Sequence, residues 1–141
     1  MSTVLGQPPR PLLLSVAREC WPIAGAFTIA RGSKTEAEVV VVTLTAEGCR
    51  GRGECVPYPR YGETVSGVVQ ALEDHRGDIE RGLVPAGIPP LALPRAAANA
   101  LDCALWDLEA KLSGEPAWRL LGLSEPQALI TAYTLSLDTP E

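Results

Sequence analysis

Apolar and polar positions change their period twice along this chain. Residues 12–19 (LLLSVARE) and 36–46 (EAEVVVVTLTA) have the β-branched density of strands, and residues 48–55 (GCRGRGEC) return after a turn at Glu47-Gly48. A three-stranded antiparallel meander is the simplest assembly. Between the first two strands, WPIAGAFTIARGSKT is too long for a hairpin turn and unusually apolar for a surface loop, so it is expected to be a loop with a function.

From Glu63 the period becomes helical. In ETVSGVVQALEDHRGDIERG, Val65, Val68, Val69 and Leu72 recur on one face, and Gly77 is expected to break the helix before a short second piece ending near Gly82. LVPAGIPPLALP is a proline-rich connector. A longer helix is expected from about Pro94, in its first turn, to a stop at Gly114. Leu101, Leu105, Leu108 and Leu112 form one stripe, while Ala97, Ala100 and Ala104 form a smooth flank that lets a second neighbour come close. PAWRLLG reads as a further short helix and residues 128–137 (ALITAYTLSL) as a strand, followed by Asp138-Thr139-Pro140-Glu141, which has the form of a helix cap. Strands followed by helices give an α+β domain over residues 1–127, with residues 128–141 opening a second unit.

Composition narrows the function. The 141 residues fit one domain, and 12 basic against 17 acidic side chains give a net charge of -5 with no basic run, which argues against a nucleic-acid partner held through phosphates. No stretch approaches the ~20 apolar residues of a membrane span, and the N-terminus lacks the pattern of a secretory signal, so a cytoplasmic location is expected. Cys20, Cys49, Cys55 and Cys103 form no Cys-x-x-Cys pair, and they are expected to be reduced, buried or half-buried thiols.

The usual catalytic patterns are missing. Gly51-Arg52-Gly53 lacks a third glycine and precedes a proline-rich loop, so it is read as a close strand or turn and not as a phosphate cradle. Asp102 and Asp107 lie about 140° apart around a helix and do not converge. His75 sits in a polar helical segment, and neither Lys34 nor Lys111 has the apolar setting that would bring its pKa toward neutrality. No catalytic or metal-ligating residue is expected in this chain. Recognition chemistry remains: Arg31 in an apolar loop, and Tyr58, Arg60 and Tyr61 in a loop stiffened by prolines.

The segments FTIARGSKTEAEVVVVTL, GRGECVPYPRYGET, ANALDCALWDLEAKLSG and ITAYTLS resemble the N-terminal capping domain of the enolase superfamily, in its muconate lactonizing branch, and more narrowly the L-Ala-D/L-Glu (dipeptide) epimerases. The resemblance runs from about Glu19 onward. It implies a sheet-and-helix cap over the mouth of a (β/α)-barrel, of which residues 128–137 would be the first strand and the rest would be missing. Two cap loops, 24–35 and 54–64, would close on the substrate. Arg31 would hold a substrate carboxylate, with Lys34 as the alternative, Thr134 would touch the dipeptide, and Phe27, Tyr58 and Tyr61 would shape the pocket.

The family's reaction is a proton abstraction and return by two opposed lysines while Mg2+ holds the substrate carboxylate, in murein-peptide recycling. The positions of those lysines and of the acidic metal ligands fall beyond these residues. The implied role is therefore a substrate-selecting cap that is inactive alone, whose partners are the dipeptide and the missing barrel domain. Two alternatives are a non-catalytic module that self-associates through its orphaned apolar surface, and the cap of a muconate lactonizing or o-succinylbenzoate synthase type enzyme.

Overall fold

The structure, a computed structural model, describes residues 10–30 and 32–136. Strands β1 (Leu13–Ile29), β2 (Gly32–Ala46) and β3 (Cys49–Cys55) pair in that order as an antiparallel meander. The turn at Glu47-Gly48 closes on the pair Ala46↔Cys49, with φ of 48° and 79°, the positive values that a two-residue hairpin turn requires. Helices follow: α1 (Val65–Asp74), α2 (Arg76–Glu80), α3 (Arg95–Ser113) and the single turn α4 (Ala117–Leu120).

Alternation along β2 sends Val40, Val42, Leu44 and Ala46 into one core with Val68 and Leu72 of α1, Ile79 of α2 and Ala97, Ala100, Leu101, Ala104, Leu105 and Leu108 of α3. Ala100 and Ala104 of the alanine flank lie on β3, while Leu101, Leu105 and Leu108 of the leucine stripe are buried in the same core, which α1 also enters. The GRG motif is explained by the same contact. A Cβ on Gly53 would stand 2.8 Å from the Ala104 nitrogen and closer still to the Ala100 carbonyl oxygen, and one on Gly51 would stand 2.6 Å from the Leu108 Cβ. These glycines let α3 lie directly on β3.

Side chains close the sheet's edges near its base. On β1, the Leu14 N–H donates to Glu80 Oε1 (3.1 Å) and the Leu14 carbonyl accepts from Arg76 Nη1 (2.7 Å). Arg76 also binds Glu73 and Glu80, and the Leu14 N–H together with Arg76 holds the Glu80 carboxyl below its ordinary value. On β3, Asp107 Oδ2 accepts from the Arg52 N–H (2.7 Å) and from Lys111 Nζ (2.6 Å). Burial pulls the Asp107 carboxyl upward, but these two donors outweigh it and leave it lowered.

Five expectations change. The segment expected as a long loop between the first two strands is the outer half of the β1–β2 hairpin: pairing resumes at Phe27↔Lys34 after a register break between Pro22 and Phe27, and runs to Ile29↔Gly32. Proline has no N–H for the ladder, and the break absorbs it, helped by Gly25 at φ 79°. The first helix breaks at His75 instead of Gly77, which lies inside α2, and Pro94 is the N-cap of α3 instead of a first-turn residue. Residues 128–136 form no strand, because no partner strand lies beside them among the described residues; residue 137 and the expected cap at 138–141 lie outside those residues. Of the thiols, Cys55 is buried and Cys49 half-buried, but Cys20 and Cys103 are exposed.

Candidate functional site

The outer hairpin places Phe27 and Lys34 opposite each other on neighbouring strands, with the Thr28 and Ser33 hydroxyls hydrogen-bonded at 2.9 Å one position further out. Phe27 is half-buried and Lys34 exposed. Arg31, the first-choice carboxylate binder, lies outside the described residues.

The second loop leaves β3 at Cys55 and makes a single 3-10 turn at Pro59–Tyr61, ended by Gly62 at φ 74°. Prolines at 57 and 59 fix the backbone, so Tyr58 and Tyr61 stand with ring centroids 5.9 Å apart and planes tilted by 47°. The Lys34 ammonium lies 5.8 Å from the Tyr58 ring centroid, a cation–π contact that joins the two loops. Tyr61 points to solvent, with 73% of its surface exposed.

Beneath the tyrosines an open cleft of about 500 Å3 runs to the start of α3, lined by Glu54, Tyr58, Tyr61, Glu63, Arg95 and Asn99 among others. Glu63 Oε1 accepts the Ala96 N–H at 2.9 Å, a carboxylate on the free N–H groups of a helix N-terminus. Burial and the neighbouring Glu63 and Glu54 charges push the Cys55 thiol up to about 11, so it stays protonated and unreactive at neutral pH. Arg95 and Asn99 were not singled out from sequence. Their signal was there, since they lie four apart on an exposed side of α3.

The third component is the stretch after α4. Thr134 is exposed and makes no hydrogen bond among the described residues, but Ser136, two positions on, reaches the hairpin. Its Oγ accepts from the Thr28 N–H at 2.9 Å and donates to the Ala26 carbonyl at 3.1 Å. Sequence reasoning missed Ser136, because nothing local marks a contact across 108 residues. Of the residues singled out from sequence, Phe27, Lys34 and Tyr58 are therefore brought together, Tyr61 borders them, and Thr134 lies on the stretch fastened beside them.

Residues 13–122 match the model of the mandelate racemase / muconate lactonizing enzyme N-terminal domain. The chain belongs to this family. It is 44% identical to the L-Ala-D/L-Glu epimerase of Escherichia coli K12 over 91% of its own length and 40% of the relative's. Among solved structures, it superposes with a TM-score of 0.82 and 46% identity on an enolase family member from Agrobacterium tumefaciens with homology to dipeptide epimerases, holding sodium and L-Ala-L-Glu, covering 91% of this chain and 39% of that one. The dipeptide epimerase of Enterococcus faecalis, complexed with Mg and L-Leu-L-Tyr, matches at 27% identity and TM-score 0.65, covering 82% of this chain and 34% of that one. The chain thus spans between about a third and two fifths of the length of the relatives it matches, and that portion is the cap.

The metals of those relatives do not fit the side chains here. Among the described residues no three His, Cys, Asp or Glu side chains converge so as to hold an ion. The groups brought together here are a cation on an aromatic ring, two tyrosines, and a hairpin fastened by the Ser136 hydroxyl.

Proposed function

We propose that these residues are the substrate-selecting cap of a dipeptide epimerase acting on L-Ala-D/L-Glu-type dipeptides in the cytoplasm, with the chemistry done by residues outside the 141. The carrying observation is that Lys34 of the hairpin meets Tyr58 of the second loop, within a chain 44% identical to an L-Ala-D/L-Glu epimerase across this region. Bound dipeptide would meet the rings of Phe27, Tyr58 and Tyr61, which exclude water and so strengthen every charge interaction inside. Arg31, or Lys34 as the alternative, would take a carboxylate, and Thr134 would contact the dipeptide. In this reading Mg2+ serves the whole enzyme and is held by residues outside this chain.

The test is a chimera in which these residues replace the matching two fifths of the E. coli relative, assayed for Mg2+-dependent epimerisation of L-Ala-L-Glu beside the 141-residue chain alone. The chimera is expected to be active and the isolated chain inactive. Activity in the isolated chain, or a folded chimera that binds no dipeptide, overturns the reading.

A second reading, self-association, is favoured by one observation: Leu129, Ile130, Tyr133 and Leu135 are between 77% and 105% exposed. Apolar side chains so fully in water favour burial against another surface. Light scattering at several concentrations separates the two. A module made for pairing gives one defined oligomer, and a cap does not.

A further inference from the structure

The outer hairpin has little apolar packing of its own. From Ser15 to Ile29 on β1 and from Gly32 to Glu38 on β2, no described residue is buried. α2 closes the free edge of β1 only at Leu12 and Leu14. Further out, at Ala26 and Thr28, the edge is met among the described residues by a single side chain, the hydroxyl of Ser136.

The geometry of that contact is specific. A carbonyl at one residue and an N–H two residues on, both facing off the same edge, are the groups that one residue of a parallel neighbouring strand would bridge with its own N–H and C=O. The Ser136 hydroxyl does both tasks with one oxygen, donating to Ala26 and accepting from Thr28. Thr28 passes the constraint across the hairpin through its hydroxyl contact with Ser33. Phe27 and Lys34, the next pair inward, are thereby fixed from the β1 edge, and Lys34 is fixed on its other side by Tyr58.

We infer that Ser136 is a positioning residue: its hydroxyl stands in for a missing strand on the β1 edge and sets where Phe27 and Lys34 stand over the substrate. It touches no reacting atom and acts through Thr28. This rests on the proposed function, because the hairpin matters to specificity only if it covers a dipeptide.

Two measurements test it, and they fail separately. In the 141-residue chain, amide hydrogen exchange at Thr28 should quicken by between about twofold and tenfold in Ser136→Ala, as expected for loss of one net hydrogen bond. Ser136→Thr, which keeps the hydroxyl, should stay near the parent, and the Val40 and Val42 amides should not respond. In the chimera, Ser136→Ala should raise KM for L-Ala-L-Glu several-fold while kcat stays within about twofold, and Ser136→Thr should restore KM. Unchanged exchange at Thr28 overturns the fastening. Faster exchange with unchanged KM overturns the positioning role. An inactive parent chimera counts against the functional reading, and the exchange result still decides whether Ser136 holds the hairpin.

Discussion

Gly53→Ala is the most demanding perturbation of this fold, although it adds one methyl group. The added Cβ would stand 2.8 Å from the Ala104 nitrogen and nearer still to the Ala100 oxygen, where ordinary contact begins at 3.4 Å. Both obstacles are backbone atoms of α3, so no side chain can rotate away. Clearing the Ala104 nitrogen alone takes a retreat of the helix from β3 by about 0.6 Å and the nearer Ala100 oxygen takes more, and even the smaller gap forfeits roughly a quarter or more of each dispersion contact across it. The contacts at stake include those of Ala97, Ala100, Leu101, Ala104, Leu105 and Leu108, all on the buried face of α3. Overpacking of this kind costs about 1 to 3 kcal/mol, and a rigid backbone partner places Gly53→Ala at about 3 kcal/mol or above. Against a total stability of about 5 to 15 kcal/mol that is a large share. In urea it appears as a midpoint lowered by about 1 M or more at unchanged slope. Gly77→Ala is the control, because nothing lies within 4 Å of its Cβ position and the site is helical; it should raise stability by about 0.5 to 1 kcal/mol. A Gly53→Ala protein within about 1 kcal/mol of the parent would refute the account of how α3 meets the sheet.

Glu63→Ala removes the acceptor for the Ala96 N–H and should cost about 1 kcal/mol in urea melts; no loss would mean that water replaces the carboxylate at no cost. The folded Asp107 and Glu80 carboxyls titrate below their ordinary values, so the stability they add is complete above the unfolded pKa of about 4 and is lost as pH falls through the lower folded one. Urea midpoints should hold from pH 7 to about 5 and drop in stronger acid, less steeply in Asp107→Asn; parallel profiles for the two proteins would count against the Asp107 contacts. With Cys55 pushed up to about 11, roughly one thiol in a thousand is ionised at pH 8, so native protein should be alkylated at exposed Cys103 and not at Cys55, as peptide mass spectrometry would report. Ending the chain at residue 126 removes Leu129, Ile130, Tyr133 and Leu135 and should improve solubility; no change in solubility or oligomeric state would remove the case for an exposed sticky segment.

What could be read from sequence was whatever repeats locally. Val40, Val42 and Leu44 alternate, and Leu101, Leu105 and Leu108 recur at helical spacing, so strand, helix and core followed from period alone. Gly51 and Gly53 announced a close approach but not its partner, which lies about fifty residues away on α3. Along the outer hairpin Pro22 and Gly25 are signals of a loop, and only the register break shows how a strand carries both. The strand expected over residues 128–137 rests on β-branched and aromatic content, which describes how a chain would pair and not whether a partner is present. At the site, the resemblance brought out Lys34, Phe27 and Tyr58, whereas Glu63 with Ala96 and Ser136 with Thr28 join distant segments through single hydrogen bonds that leave no periodic trace.

That contrast between base and tip bears on how such a cap can change its substrate. At the base, Val40, Val42, Leu44, Gly51 and Gly53 meet α3 with almost no exposed surface, and a change there is felt through the whole fold. At the tip, the hairpin stands clear of the core and is held by a cation on a ring and by one hydroxyl, contacts that each contribute about 1 kcal/mol or less where exposed. Residues 27, 28, 33, 34 and 58 can therefore be exchanged without unfolding the sheet, while under the proposed function each exchange would move or recharge a surface turned to the dipeptide. Stability and selectivity then draw on separate residues. A double substitution at Lys34 and Tyr58 should alter dipeptide preference in the chimera while leaving the urea midpoint within about 1 kcal/mol of the parent, and a large loss of stability would show that tip and base are coupled after all.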